Sequence, residues 1–286
     1  MSTRGLPEPE FRVGVMCGIS ADILRGFLAR NAPRLREAGI EVPIVILDED
    51  RAARQSVRHL WRLAKRQARV AGCSRLTAAM RLLVYRGLTH EPGSRARPSP
   101  ELAPDLRVVR VPTLNSPVAA DALNSAGCNL VCLMGARILT RRTLEAIAAP
   151  ILNIHSSDPR LIRGGPVVVW EVLAGHSEIA LVVHEVVAAV DSGAIVAQGA
   201  QQVLYRRGLG ATTHATMKAA RPKVGDLFEQ AIRDMAAGAP RRIRFDPGPL
   251  KVTPSVRETL RAELLCRQRS RSADSRPTSP TPCDRG

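Results

Sequence analysis

Three short apolar segments, each followed by a turn, constrain the fold of this chain most strongly. They are Phe11–Cys17, Val42–Leu47 and Asn129–Met134. Apolar residues run through each segment almost continuously, which is typical of parallel strands buried on both faces. A helical pattern at Ala21–Ala38 separates the first two strands and ends at Gly39. The sequence therefore predicts an α/β fold with a doubly wound, mainly parallel sheet.

Two regions depart from this alternation of strands and helices. Residues 51–92 contain two helical patterns, and the first sets Leu60, Trp61, Ala64 and Ala68 against arginines and Lys65. We predict a basic helical hairpin inserted after the second strand. Beyond residue 240 the chain is rich in Arg, Pro and Ser, with one helix expected at Val256–Arg267. The predicted organisation is a main domain at 1–240, with the insertion at 51–92, and a largely disordered extension at 241–286.

Composition disfavours several classes of protein. The net charge is +16, but lysine occurs only at four positions, and we attribute the arginine excess to coding composition. Aromatic residues make up 3% of the chain, which argues against stacking on nucleic-acid bases. No apolar segment approaches the roughly 20 residues of a membrane span, and no apolar signal region precedes the first strand. The six cysteines form no C-x-x-C pair or four-ligand zinc set. We expect a cytoplasmic protein with reduced thiols and no metal.

Polar side chains collect at predicted strand ends between residues 151 and 198. Asn153 and His155 are two residues apart in an extended segment, so both leave the same face. His184 ends the β-branched run Ile179–Val183, and Asp191 opens a turn with Ser192 and Gly193. Each residue has a structural explanation when taken alone, since Asp favours turns and a histidine can be satisfied within the core. Together they lie where open α/β sheets bind their ligands.

In shared register, these residues resemble the signature of the folate-dependent formyltransferases. The matching motifs are Asn153-x-His155, Arg163-Gly164, His184 and Asp191-Ser192-Gly193, and Asp191 follows His155 at the family's spacing. Gly135-Ala136-Arg137-Ile138-Leu139 is similar to the family's folate-pocket segment. The resemblance covers Arg107–Gln202 well and Phe11–Asp48 loosely. It implies a Rossmann-like catalytic domain within residues 1–240.

The resemblance also implies an activity. The chain would transfer a formyl group from 10-formyltetrahydrofolate to an amine of a small-molecule acceptor, with no metal. Asn153 and the His155 imidazolium would stabilise the oxyanion, Asp191 would relay the proton, and His184 would support them from a second layer. The implied folate-binding positions are Gly135, Arg137, Ile138, Leu139 and Val187. The implied positions for binding the acceptor are Arg163 and Gly164.

Departures from the family's motifs leave the acceptor open. The family's loop reads N-x-H-P-S-L-L-P-x-Y-R-G, whereas residues 153–164 read NIHSSDPRLIRG. Residues 17–20, CGIS, replace the Gly- and Ser/Asn-rich phosphate turn of purine-pathway members. Two alternatives therefore stand beside formyl transfer: hydrolysis of the same folate, and non-catalytic binding of nucleic acid through Arg58–Arg69. The hairpin itself is either a solvated basic face or a surface that binds an anionic substrate.

Overall fold

A seven-stranded sheet lies at the centre of this computed structural model, which describes residues 11–18, 21–48, 57–89, 106–135 and 138–274. The strands in chain order are β1 (Phe11–Cys17), β2 (Ile40–Asp48), β3 (Arg107–Val111), β4 (Leu130–Met134), β5 (Ile151–His155), the short β6 (Arg163–Gly164), β7 (Glu178–Glu185), β8 (Ile195–Gln202) and the short β9 (Leu250–Lys251). The sheet order is β3-β2-β1-β4-β5-β7-β8, and β6 pairs separately with β9. Strands β1 to β5 pair in parallel, and β7 pairs antiparallel with both of its neighbours, β5 and β8. The predicted doubly wound, mainly parallel sheet is confirmed.

Helices cover both faces of this sheet. They are α1 (Ala21–Arg30), α2 (Ala32–Glu37), α3 (Val57–Ala71), α4 (Arg75–Thr89), α5 (Pro117–Ser125), α6 (Arg141–Ala146), α7 (Val167–Ala174), α8 (Leu209–Ala236) and α9 (Val256–Asp274). Side chains alternate along each strand, so β5 sends Leu152 into one core cluster and Ile151 into the other. The first cluster packs against α1, α7, α8 and α9, and the second against α5 and α6. Among the described residues, no helix combines the length and apolar character needed to cross a membrane.

The basic insertion folds as the predicted hairpin. Small residues let α3 and α4 approach closely, since Ala64 and Ala68 are buried against Ala78, Ala79 and Leu82. Trp61, expected on the packed stripe, is instead 46% exposed. Helix α4 then packs against α8 and α9. The hairpin is thus attached to the body of the fold mainly through α4.

The prediction of a largely disordered extension is wrong for residues 241–274. Helix α9 runs to Asp274, beyond the Arg267 predicted, and its Ala262 and Cys266 are 0% exposed within the core cluster that also contains β1. The buried face of α9 consists of Thr259, Ala262, Glu263, Cys266 and Ser270. These residues follow helical spacing but are small or polar, so the sequence shows little apolar periodicity. The boundary predicted at residue 240 does not separate two cores, and residues 275–286 lie outside the described ranges.

Candidate active site

The antiparallel pairing of β5 with β7 brings the first two polar side chains together. Its register places Asn153 directly opposite His184, so both side chains leave the same face of the sheet. The Asn153 amide nitrogen lies 3.3 Å from Nε2 of His184. His184 Nδ1 donates a hydrogen bond to the carbonyl oxygen of Glu185 at 2.8 Å. This second bond fixes the ring so that its Nε2 faces Asn153.

The turn between β7 and β8 delivers the carboxylate. Asp191 has a φ of 46°, in the left-handed region that Asp tolerates better than most residues. Two residues later the chain passes so close to β7 that a Cβ on Gly193 would lie 1.8 Å from the carbonyl oxygen of Glu185. The Gly164 amide donates to Asp191 Oδ2 at 2.9 Å. The close approach at Gly193 and the Gly164 amide together hold the carboxylate at the end of β5.

Both imidazoles face this carboxylate. His155 Nδ1 lies 3.6 Å from Asp191 Oδ2, and His184 Nε2 lies 3.5 Å from Asp191 Oδ1. The remaining nitrogen of His155, Nε2, donates to the carbonyl oxygen of Ile162 at 3.2 Å. The nitrogen of His155 that can exchange a proton with a ligand or with Asp191 is therefore Nδ1.

Burial sets the protonation state of this group. Desolvation lowers the pKa of His155 below its ordinary value, although the neighbouring Asp191 charge acts in the opposite direction. Burial alone would raise the pKa of Asp191, but the hydrogen bond with His184, the His155 charge and the Gly164 amide together lower it. Near neutral pH the pair is thus a neutral imidazole beside an ionised carboxylate. The imidazolium expected from the sequence is not the resting form.

A cavity of about 490 Å³ opens beside these groups. It is lined by Asn153, His155, His184 and Asp191, and also by the predicted positions Gly135, Ile138, Leu139, Gly164 and Val187. Arg137, the remaining predicted folate-binding residue, lies outside the described residues. The structure thus brings together nearly all of the site positions that were predicted between residues 135 and 191.

Arg163 was predicted to bind the acceptor, but its side chain does not line the cavity. Its Nε donates to the carbonyl oxygen of Gly248 at 2.6 Å, and its NH1 donates to that of Val190 at 3.1 Å. The guanidinium therefore joins the segment before β9 to the residue preceding Asp191. Arg163 is a positioning residue in this structure, and it is absent from the cavity lining.

Sequence reasoning missed one side of the cavity. Helix α3 contributes Leu63, Arg66, Gln67 and Val70, and the segment beginning at β9 contributes Leu250, Lys251 and Val252. The second segment is held by the Trp170 indole, which donates to the Val252 carbonyl oxygen at 3.0 Å, and Lys251 Nζ lies 4.7 Å from the Trp170 ring centroid. The basic character of α3 allowed an anion-binding surface, but no sequence signal places these particular residues at the cavity, because their position depends on tertiary packing. Within the described ranges, no cluster of His, Cys, Asp or Glu could hold a metal ion.

This chain is similar to known proteins both in sequence and in structure. A family model described as "Formyl transferase" matches residues 95–223. Glycinamide ribonucleotide transformylase 1 from Symbiobacterium toebii is similar in structure, with a TM-score of 0.54 and 24% sequence identity, over 86% of this chain and 100% of that one. Phosphoribosylglycinamide formyltransferase from Anaplasma phagocytophilum has a TM-score of 0.51 and 16% identity, over 85% and 99% of the two chains.

The two structural matches show a shared fold, and no curated protein matches the chain by sequence. The family model carries more weight, because its matched residues include both histidines, the amide and the carboxylate of the cavity. Residues 95–223 of this chain, which contain these four side chains, are therefore similar to the formyl transferase family.

Proposed function

We propose that this protein is an N-formyltransferase that moves a formyl group from 10-formyltetrahydrofolate to an amine of a small molecule. The observation that supports the proposal most directly is the convergence of an amide, two imidazoles and a carboxylate at a cavity, where distances of 3.3 to 3.6 Å join Asn153 to His184, His184 to Asp191 and Asp191 to His155. Formyl transfer needs a donor to the formyl oxygen and a base for the attacking amine. These side chains supply both.

The walls of the cavity suit a folate ring. Ile138, Leu139, Val186 and Val187 provide an apolar surface on one side of the polar group. Gly135 has a φ of 58°, so the chain turns at the end of β4 in a conformation that glycine adopts freely. We propose that this side of the cavity holds the folate, and that its N10-formyl group points towards Asn153.

The protonation states suggest a division of labour. The Asn153 amide donates to the formyl oxygen, where negative charge develops as the amine attacks. Neutral His155 accepts the proton released by the amine at Nδ1, and the ionised Asp191 carboxylate stabilises the resulting imidazolium. The tetrahedral intermediate then collapses, the bond between the formyl carbon and N10 breaks, and the imidazolium returns its proton to N10 of the departing tetrahydrofolate. His184, whose Nδ1 donates to the Glu185 carbonyl oxygen, accepts from the Asn153 amide at Nε2 and so orients that amide. Since the five cysteines in the described ranges are free thiols, we also propose a reducing compartment such as the cytoplasm.

Substitution of the central histidine tests this proposal. We expect purified protein to release tetrahydrofolate and to add one formyl mass to an amine in an acceptor screen. His155→Ala should lower this turnover by about 10²–10³-fold, the usual cost of one preorganised catalytic group. His214→Ala is the matched control, because His214 is exposed on α8 and does not line the cavity.

Two results would contradict the proposal. One is equal turnover in His155→Ala and His214→Ala, which would remove the assigned chemistry. The other is tetrahydrofolate release that proceeds at the same rate without any amine, which would identify water as the acceptor and the protein as a hydrolase.

A further inference from the structure

The cavity side of α3 is a regular helix face. Leu63, Arg66, Gln67 and Val70 all line the cavity and follow the spacing i, i+3, i+4, i+7. Ala64 and Ala68 point instead to the packing cluster shared with α4. One face of α3 thus packs against α4, and the adjacent face lines the cavity that contains the catalytic group. All four lining residues lie outside residues 95–223, the part of the chain that matches the family model.

Gln67 presents a hydrogen-bond acceptor that has no partner. Its Nε2 donates to Thr253 Oγ1 at 2.9 Å, and Thr253 is 3% exposed, so the side-chain amide is held in place. Its Oε1 is buried and lacks a hydrogen-bond partner within the described part of the chain. Buried polar atoms are nearly always paired. An N–H or O–H group of a bound molecule would satisfy this oxygen.

Arg66 adds a positive charge one residue away. It is exposed, it lines the cavity, and no carboxylate in the described ranges forms an ion pair with it. Lys251 lines the same cavity from β9. Asp191 is the acidic residue of the lining, and it already accepts from the Gly164 amide and faces two histidines. The α3 side of the cavity therefore carries positive charge that a ligand anion can neutralise.

We propose that Arg66 and Gln67 form a substrate-recognition subsite for an anionic group, a carboxylate or a phosphate, that carries or adjoins an N–H or O–H donor. The anion binds Arg66 and the donor binds Gln67 Oε1. This inference rests on the proposed formyl transfer and names the substrate chemistry that α3 adds to it. Two sources share this chemistry: the glutamate end of the folate, with its amide N–H, and an acidic group on the acceptor.

Calorimetric titration of the full chain distinguishes these sources without knowledge of the acceptor. The first arm compares the Kd of tetrahydrofolate with that of tetrahydropteroate, which lacks the glutamate. The second arm measures the Kd of inorganic phosphate with tetrahydrofolate already bound. The variants are Arg66→Ala and Gln67→Met, and Arg69→Ala is the control, since Arg69 is an exposed arginine of α3 outside the cavity lining.

We expect Arg66→Ala to raise the Kd about tenfold in one of the two arms, because a charge-assisted hydrogen bond is lost. Gln67→Met should raise the Kd in the same arm by a smaller factor. Loss of the preference for tetrahydrofolate over tetrahydropteroate assigns the subsite to the folate tail. Loss of phosphate binding assigns it to the acceptor. If both variants bind like Arg69→Ala in both arms, the subsite is refuted. If wild-type protein does not bind tetrahydrofolate at all, the proposed function fails instead.

Discussion

His155 shows how a buried environment changes the role that a motif suggests. The N-x-H pattern alone is compatible with an imidazolium that donates to an oxyanion. In the structure, Nε2 is committed to the Ile162 carbonyl oxygen and Nδ1 faces Asp191. Burial lowers the pKa of His155, so the ring rests neutral and is ready to accept a proton. The same residue is therefore better suited to act as a base than as a permanent cation.

This assignment predicts the pH dependence of formyl transfer. A base must be unprotonated to act, and the pKa of His155 lies below its ordinary 6.5. Turnover should therefore rise with pH through a value below 6.5 and level off by neutral pH, measured as kcat/KM against pH. Asp191→Asn removes the charge that raises the pKa of His155. The rise of kcat/KM with pH in this variant, measured on its residual activity, should therefore move to lower pH. An acidic limb above 6.5 in the wild type would contradict the neutral resting state.

At the scale of the elements, the site depends on the pairing of β7 with β5 and on the turn that connects β7 to β8. The sequence identifies the strand segments and the turn at Asp191, because β-branched runs and Asp-Ser-Gly are local signals. It does not identify the register that sets Asn153 opposite His184, since register arises from pairing with a distant strand. It also does not show that α3 reaches the cavity, because Arg66 and Gln67 look like any other polar residues of a basic helix.

Gly193 makes the turn's geometry testable. A Cβ there would lie 1.8 Å from the Glu185 carbonyl oxygen, so Gly193→Ala must push the turn away from β7 and displace Asp191. We expect a loss of turnover of about 10² or more, and a stability loss of about 1–3 kcal/mol from overpacking. Gly199→Ala in β8 is the control, because its Cβ would meet only Leu227 side-chain atoms at 3.4 Å or more. Urea unfolding and formyl transfer should be measured on both, and equal activities would show that the turn does not position the carboxylate.

At the scale of the whole molecule, the C-terminal segment belongs to the same structure as the site. The predicted parallel core was recoverable because strands such as Leu130–Met134 are apolar throughout. A helix was predicted at Val256–Arg267, but the packing of α9 into the core was not, since its buried face uses Thr259, Ala262 and Cys266 in place of large apolar residues. Pro222 likewise lies inside the 28-residue helix α8, although proline disfavours a helix interior. In both cases long-range packing overrides a weak or contrary local pattern.

One contact between α9 and α8 allows this integration to be measured. Helix α8 begins after Gly208, which offers no side-chain cap, and the Leu209 amide instead donates to Glu263 Oε2 at 2.6 Å. Leu209 is 0% exposed, so Glu263→Ala would leave its N–H buried and unpaired, at an expected cost of about 1–3 kcal/mol in the free energy of unfolding. Glu145→Ala is the control, because it breaks only an exposed pair with Arg141, usually worth about 0.3–0.5 kcal/mol. Urea unfolding of the full chain compares the two, with Glu263→Gln expected to recover part of the loss. If Glu263→Ala is no less stable than Glu145→Ala, α9 contributes little through this contact, and the C-terminal segment is less integrated than its burial indicates.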